Sequence, residues 1–319
     1  MKEKRLSGYL IALIIILLLN FILPRLMPGD PITAMYGDAL TELTPELRIA
    51  LEERYGLSKP LVGQFFNYLS NTVLNLDLGY SFYYEESVVQ VVMNYLPWTL
   101  LLLLTSLILS TLLGFVLGVE SGWEYNQRKD RLLLLILLII NGMPGIVVGS
   151  LLLIIFSWQL SIFPTGGAMT SHASYTGLVW LVDILHHLAL PLITLVLTRL
   201  PSSYLLMRNS MFGVIEQPFI QLARAKGLKQ ERIKYVHGAR NAMIPLITQV
   251  GIRFGTFLGG ALFVENIFSY PGMGTLIYQA LLNRDYPLLQ GSLLLLSLIV
   301  LLVNFVTGLV IDRVDKGGY

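Results

Sequence analysis

Three side chains that can titrate or bind a metal lie together in one apolar stretch, Asp183, His186 and His187. On a helix, Asp183 faces the two histidines at spacings of three and four residues, while the histidines diverge by about 100°. Ionisable groups at membrane depth are candidates for function. A proton relay or a nickel contact is therefore one interpretation, and a structural role at the membrane interface is the other and the favoured one.

Two more charged residues stand in apolar surroundings. Arg253 is a lone cation within a long apolar run, so we expect it to face the interior of a helix bundle and pair with a carboxylate of the protein or of a substrate. Glu265 follows at the end of the same run, where a gate contact and a turn or cap role both remain open.

Several short sequence motifs of hydrolases and nucleotide-binding enzymes are missing from the sequence. It contains no H-E-x-x-H, no G-x-S-x-G and no G-x-x-x-x-G-K-[ST], and it has no cysteine. We therefore expect no ATPase site, no bound cofactor and no cysteine-ligated metal in this chain. A passive channel and an intramembrane hydrolase stay as alternatives from other functional classes.

The composition requires lipid as a solvent. Of 319 residues, 55% are hydrophobic and 13% are charged, with a mean hydropathy of +0.68, whereas soluble domains carry about 25% charged residues. Proline and glycine interrupt the third and fourth apolar stretches, so we expect these to be kinked or locally unwound. Six stretches are long enough to cross a bilayer: 8–27, 97–119, 132–158, 178–200, 244–264 and 288–311.

The distribution of basic residues predicts the orientation. With the N-terminus inside, fifteen lysines and arginines fall in inner segments and four in outer ones, which places both termini in the cytoplasm of a multi-pass cell-membrane protein. The fold class is thus all-α, with six transmembrane helices and an outer segment with short helices near 44–56 and 60–74. The predicted division is 1–96 as the first span with the outer segment, 97–311 as a five-span core, and 312–319 as a tail.

The inner segment 208–243 has the pattern of helix, glycine, helix. Pro218 suits the first turn of a short helix, Gly227 suits its end, and Lys226 is favourable near the negative end of the helix dipole. Ala223 and Ala225 are small enough for another protein to approach the backbone closely. A docking site for a partner protein and an ordinary basic connector are the two interpretations.

Residues 221–227, QLARAKG, resemble the EAA loop of permease subunits of ATP-binding-cassette (ABC) importers, in the ARAKG version of the dipeptide, oligopeptide and nickel branch. Gln221 stands where the family usually has glutamate, and Leu222 where it usually has alanine. Other runs that resemble this branch recur in order along nearly the whole chain: PGDP at 28–31, LDLGYS at 76–81, LPWTL at 96–100, FPTGG at 163–167, HLALP at 187–191, HGARNAMIP at 237–245, ENIFSYPGMG at 265–274 and RDYP at 284–287. The tail from 312 lacks the Asp-Pro-Arg ending that is common in the branch.

The resemblance implies a set of partners and a mechanism. It implies a second, homologous permease, two cytoplasmic ATP-binding subunits and an external solute-binding protein, and no nucleic acid. The resemblance implies that the EAA-type loop within 208–243 forms a coupling helix that docks in a groove on one ATPase. The coupling residues expected from it are Gln221, Ala223, Ala225, Lys226 and Gly227.

The resemblance also leaves a choice of substrate. Dipeptides and oligopeptides are the first expectation, and nickel or a metal–chelator complex is the alternative.

The second to fifth spans are expected to line the translocation path, because irregular backbone at membrane depth is tolerated only inside protein or along a cavity. Arg253 is the residue expected to lie near that path.

Overall fold

The computed structural model describes residues 2–26, 60–171, 175–252 and 254–317. Across these ranges the chain is almost entirely helical, and the only strands are β1, Tyr80–Ser81, and β2, Glu86–Ser87. The two strands pair antiparallel with Tyr80 opposite Ser87. The all-α prediction is confirmed for this part of the chain.

Helices of very different lengths follow one another along the chain. Helix α8 begins at Gln230–Arg232 and continues through a π-helical stretch, Ile233–Ala239, to Arg240–Ala242. Two more helices continue into π-helical turns: α2, Leu61–Leu69, into Ser70–Leu74, and α5, Gly145–Leu152, into Leu153–Gln159. The other bounds are α1 Lys2–Leu26, α3 Val88–Trp123, α4 Arg128–Asn141, α6 Gly177–Ile215, α7 Pro218–Ala225, α9 Ile244–Ile252, α10 Phe254–Ile267, α11 Met273–Leu282 and α12 Tyr286–Gly317.

The chain divides into two compact units. One comprises Met1–Pro97 and Gly272–Phe305, and the other comprises Trp98–Pro271 and Val306–Tyr319. The outer short helix predicted near 60–74 is present as α2 and its π-helical turn, while the one predicted near 44–56 lies outside the described residues. The division of the sequence at 96 and 311 stays a prediction.

Several helices can cross a membrane by length and composition. Helices α3 and α6 and the stretch Tyr286–Leu309 of α12 do so alone, and α4 and α5 with its π-helical turn do so together although they are bent by 99° at the break between them. A multi-pass membrane protein is therefore confirmed. The count of six spans stays a prediction.

The predicted irregularities in the third and fourth spans have different outcomes. The third span is broken between Asn141 and Gly145, where Pro144 has extended backbone (φ −58°, ψ 141°) and cannot continue α4. The fourth span is not unwound at Pro191, since α6 runs without interruption through Pro191 and Pro201. A kink at Pro191 stays a prediction. Packed membrane helices tolerate proline because neighbouring groups satisfy the freed backbone, and Pro191 is buried.

Close packing of α3 on α6 builds the second unit. Gly114, Gly118 and Gly122 recur every four residues on one face of α3 and lie against α6. A Cβ added to Gly118 would lie 2.6 Å from the Cβ of Met207 and 3.0 Å from the backbone nitrogen of Arg208. Small residues at this spacing let two helix backbones approach in a membrane. A buried apolar cluster extends this contact to α8 and α9, where Ala239, Ala242 and Leu246 pack with Val119, Met207 and Met211.

In the first unit, two separate sequence runs meet. Asp285, which lies in the run RDYP, is 2% exposed and accepts hydrogen bonds from Ser81 Oγ at 2.6 Å, Tyr83 N at 3.2 Å and Leu288 N at 3.1 Å. Ser81 ends the run LDLGYS. The carboxylate thus joins the β1–β2 hairpin to the start of α12.

Candidate coupling site

The short helix α7 begins where the sequence predicted. Gln217 is extended (φ −70°, ψ 145°), and Pro218 occupies the first helical position, where its missing N–H costs no hydrogen bond. The backbone nitrogens of Ile220 and Gln221 donate to the Gln217 carbonyl at 3.0 and 3.4 Å. The first turn is therefore closed by the backbone alone.

The end of α7 is a complete Schellman motif. Gly227 has φ +70°, in the left-handed region, and its nitrogen donates to the Arg224 carbonyl at 2.9 Å. The nitrogen of Leu228 donates to the Ala223 carbonyl at 3.3 Å. These are the two bonds that define the motif, and Leu228 adds the apolar contact that accompanies it. The predicted left-handed stop at Gly227 is confirmed.

One face of α7 packs on the chain itself. Ile220, Ala223 and Ile233 are buried together, with 0, 5 and 3% of their surface exposed, and Trp123 at the end of α3 covers them. Ala223 therefore has a different surrounding from the one that the sequence suggested. Its small side chain fits this packing inside the chain, and its role in docking stays a prediction.

The rest of the α7 surface is open. Phe219 and Leu222 are 40 and 56% exposed, and Gln221, Ala225 and Lys226 are exposed as well. Phe219, Leu222 and Ala225 recur every three residues and so form one stripe on the helix. We call Phe219, Leu222 and Ala225 the α7 stripe. It offers a partner protein an apolar strip with a cation at one end.

Helix α8 is fastened to the end of α3 by charge. Lys234 Nζ lies 2.9 Å from Glu120 Oε2 and 2.9 Å from Glu231 Oε1, and the Tyr235 hydroxyl donates to Glu120 Oε1. Burial lowers the pKa of Lys234, but its hydrogen bonds to Glu231 and Glu120 outweigh this and raise the pKa above its ordinary value. The hydrogen bond to Glu120, helped by burial, raises the pKa of Tyr235 to about 12.

A second buried charge pair joins α4 to α6. Arg208 Nε and Nη2 donate to the two carboxylate oxygens of Asp130 at 2.6 and 2.7 Å. Asp130 is 2% exposed and Arg208 8%. A bidentate pair of this kind holds both groups in one geometry, and removal of one partner leaves an uncompensated buried charge at a cost of about 3–5 kcal/mol. Sequence reasoning had counted Arg208 only as one more basic residue.

Two family descriptions cover almost the whole chain. Residues 110–317 match "Binding-protein-dependent transport system inner membrane component", and residues 2–103 match the N-terminal part of the same kind of component. The chain belongs to this family of transport-system membrane components. It is therefore a permease subunit of the inner membrane.

Characterised relatives support the same assignment. The oligopeptide transport system permease protein AppB of Bacillus subtilis is 33% identical over 301 residues, which are 94% of this chain and 93% of AppB. The glutathione transport system permease protein GsiC of Escherichia coli K12 is 33% identical over 303 residues, 95% of this chain and 93% of GsiC. A structure of inward-facing conformations of the MetNI methionine ABC transporter aligns with a TM-score of 0.54 and 17% identity, covering 70% of this chain and 96% of that one, and so shows a shared fold.

In this permease, Asp183 and His186 hold the segment that precedes α6. Asp183 accepts hydrogen bonds from Thr170 N and Oγ1, each at 2.7 Å. His187 Nδ1 lies 2.9 Å from the Asp183 carbonyl oxygen, and His186 Nε2 lies 2.8 Å from the Ile162 carbonyl. The contacts of Asp183 and His186 tie the segment before α6 onto that helix, whereas the His187 contact lies within α6 itself. This arrangement favours the structural interpretation. Over the residues that the structure describes, no group of three or more histidine or acidic side chains could hold a metal ion.

The other two charged residues of the apolar run have different outcomes. Arg253 lies outside the described residues, so its proposed place near the path is not tested. Glu265 is fully buried in α10. Another cation of a predicted span is Arg199 of α6, whose Nη2 would lie 2.1 Å from a Cβ added to Gly260 of α10. Arg199 thus marks an approach of α6 to α10 that sequence reasoning did not single out.

Proposed function

We infer that this permease forms half of the membrane path of an ATP-driven peptide importer and that α7 is its coupling helix. The observation that carries this proposal is the form of α7, a short helix capped at both ends, packed on one face and open on the rest of its surface. Such a helix can transmit a displacement as a rigid element, because its buried face packs on Trp123 and the turns at both of its ends are closed by backbone hydrogen bonds. The ATPase would contact the α7 stripe.

The proposed partners are those of a binding-protein-dependent importer. A second permease completes the path, two ATP-binding subunits supply the energy, and an external solute-binding protein delivers the substrate. ATP binds those ATPases, and this chain contributes no catalytic residue. Both termini lie in the cytoplasm, and the segment 28–96 lies outside.

Peptides are the proposed substrates. AppB and GsiC are named for oligopeptides and for glutathione, which is itself a peptide, and this favours peptides over nickel or a metal chelate. The path would run along α3 and the start of the fifth predicted span, where a cavity of about 350 Å³ is lined by Thr111, Leu112, Phe115, Met243, Leu246 and Ile247. Arg253 is proposed to lie near this path, so Arg253→Leu should impair uptake and leave assembly intact.

Substitution of Leu222 tests the coupling assignment. Leu222→Asp places a charge in the centre of the α7 stripe, where docking would bury it. The lost apolar burial and the buried charge should together cost roughly 2 kcal/mol or more, or about a 30-fold loss of affinity. We expect the ATPase to be lost from the purified complex while the permease still inserts into the membrane.

Gln230→Asp is the matched control, because it adds the same charge to an exposed position at the start of α8 that does not belong to the α7 stripe. Retention of the ATPase by both variants, with uptake at the parental rate, would show that α7 is only a connector. Peptide uptake by liposomes that contain this chain alone would instead favour a passive channel. Labelling of single cysteines placed at Gln127 and Glu46 tests the orientation, since only Glu46 should react from outside.

A further inference from the structure

Asp130 stands where four segments of the second unit meet. Besides the two bonds from Arg208 of α6, it accepts one from the Ser121 hydroxyl of α3 and one from the backbone nitrogen of Asn126, at 2.8 Å, in the turn between α3 and α4. The Ser121 hydroxyl is also hydrogen-bonded to the Tyr204 hydroxyl of α6. The carboxylate thus fixes the ends of α3, α4 and α6 to one another.

Arg208 is clamped from a second direction. Its guanidinium carbon lies 4.8 Å from the ring centroid of Tyr125, and Tyr125 stacks on Phe212 at 4.1 Å with an angle of 29° between the rings. Arg208 precedes the last residue of α6, Ile215, by seven residues, or about 10 Å along the helix. The Asp130–Arg208 pair therefore lies about two helical turns before the point where the chain enters α7.

Stability alone is a poor explanation for this network. Buried ion pairs often contribute no more to stability than apolar residues of the same volume would, because both charges lose their water. A bidentate pair with two further donors has only one arrangement that satisfies every group. The Asp130–Arg208 pair therefore fixes the relative positions of α4 and α6, and it does so close to the point where α6 leads into α7.

We propose that Asp130 and Arg208 are positioning residues that make the end of α6 and the α3–α4 hairpin move as one body. This rests on the proposed function of α7. When the ATPase displaces α7, the Asp130–Arg208 pair transmits that displacement to α3 and α4 as well as to α6. Without it, α6 would yield alone and ATP would be hydrolysed without transport.

Two spin labels test the rigid body directly, since the chain has no native cysteine. Labels at Gln127, in the α3–α4 turn, and Gln217, after α6, are both on exposed positions. In the assembled transporter the distance between them should keep one narrow population with and without ATP and vanadate. In Asp130→Asn and in Arg208→Lys, which retains the charge but not the bidentate bond, that single population should be lost.

Transport supplies the second measurement. With a labelled tripeptide as the probe, ATP hydrolysed per peptide imported should rise on the order of tenfold in both variants, a factor typical of coupling between sites. The ATPase should remain bound, because the α7 stripe is unchanged.

Asp285→Asn is the matched control. Asp285 is a carboxylate buried to the same 2% and likewise accepts from a serine hydroxyl and a backbone nitrogen. It should lower the melting temperature and leave both the label distance and the ATP ratio unchanged. A parental distance that shifts with nucleotide, or Asp130 and Arg208 variants that match Asp285→Asn in both measurements, would overturn the proposal. Failure of the coupling function itself would show separately, as an ATPase that stays bound to Leu222→Asp.

Discussion

Gly227 offers the sharpest test of how α7 is shaped. A Cβ added to Gly227 would meet no atom within 4 Å, and its φ is +70°. Substitution therefore introduces no clash, and the whole cost is the left-handed backbone, about 1–2 kcal/mol for an ordinary L-residue. Gly227→Ala should show this cost, Gly227→Val should exceed it because a β-branched residue fits this region worst, and Gly227→Asn should cost least.

The strain can be relieved by opening the Schellman motif, which frays the last turn of α7. If docking requires the closed form, 1–2 kcal/mol corresponds to an affinity for the ATPase about 5- to 30-fold lower. The assay is titration of the ATPase against the permease in nanodiscs, with membrane insertion checked by yield. The affinities should fall in the order glycine, asparagine, alanine, valine.

Gly213 is the control within the same chain. It is exposed in α6 and helical, and an added Cβ would again meet nothing within 4 Å. Gly213→Ala should therefore leave docking unchanged and raise stability by up to about 1 kcal/mol. Equal affinities across the Gly227 series, or a loss in Gly213→Ala as large as in Gly227→Ala, would refute the reasoning.

Three further predictions concern packing and charge. Ala223→Trp should lower the melting temperature, since overpacking of a buried cluster costs about 1–3 kcal/mol, whereas Ala225→Trp should keep the melting temperature and block docking. Gly118→Leu should separate α3 from α6 and reduce the yield of folded permease, measured by size-exclusion chromatography. The pKa of Tyr235 is raised from 10.0 to about 12. The hydrogen bond of its neutral hydroxyl therefore contributes fully to the free energy of unfolding below pH 10, and this contribution is lost as the pH rises through 12. Tyr235→Phe should flatten that part of a plot of stability against pH.

Local features of α7 could be read from the sequence. Proline has a fixed φ and lacks a donor, and glycine enters the left-handed region without steric cost, so Pro218 and Gly227 mark the two ends of the helix wherever it lies. The membrane class is readable for the same reason, because hydropathy belongs to each segment separately. Family membership was readable from short runs that recur in order.

Only the tertiary structure decided which side of α7 is available. Ala223 and Ala225 are the same residue type two positions apart, yet one packs under Trp123 and the other is open. Asp130 and Arg208 are separated by 78 residues, and Ser81 and Asp285 by 204. Dihedral preference and hydropathy act within a few residues, whereas these pairs exist because separate helices pack together, and no property of either segment alone specifies its partner.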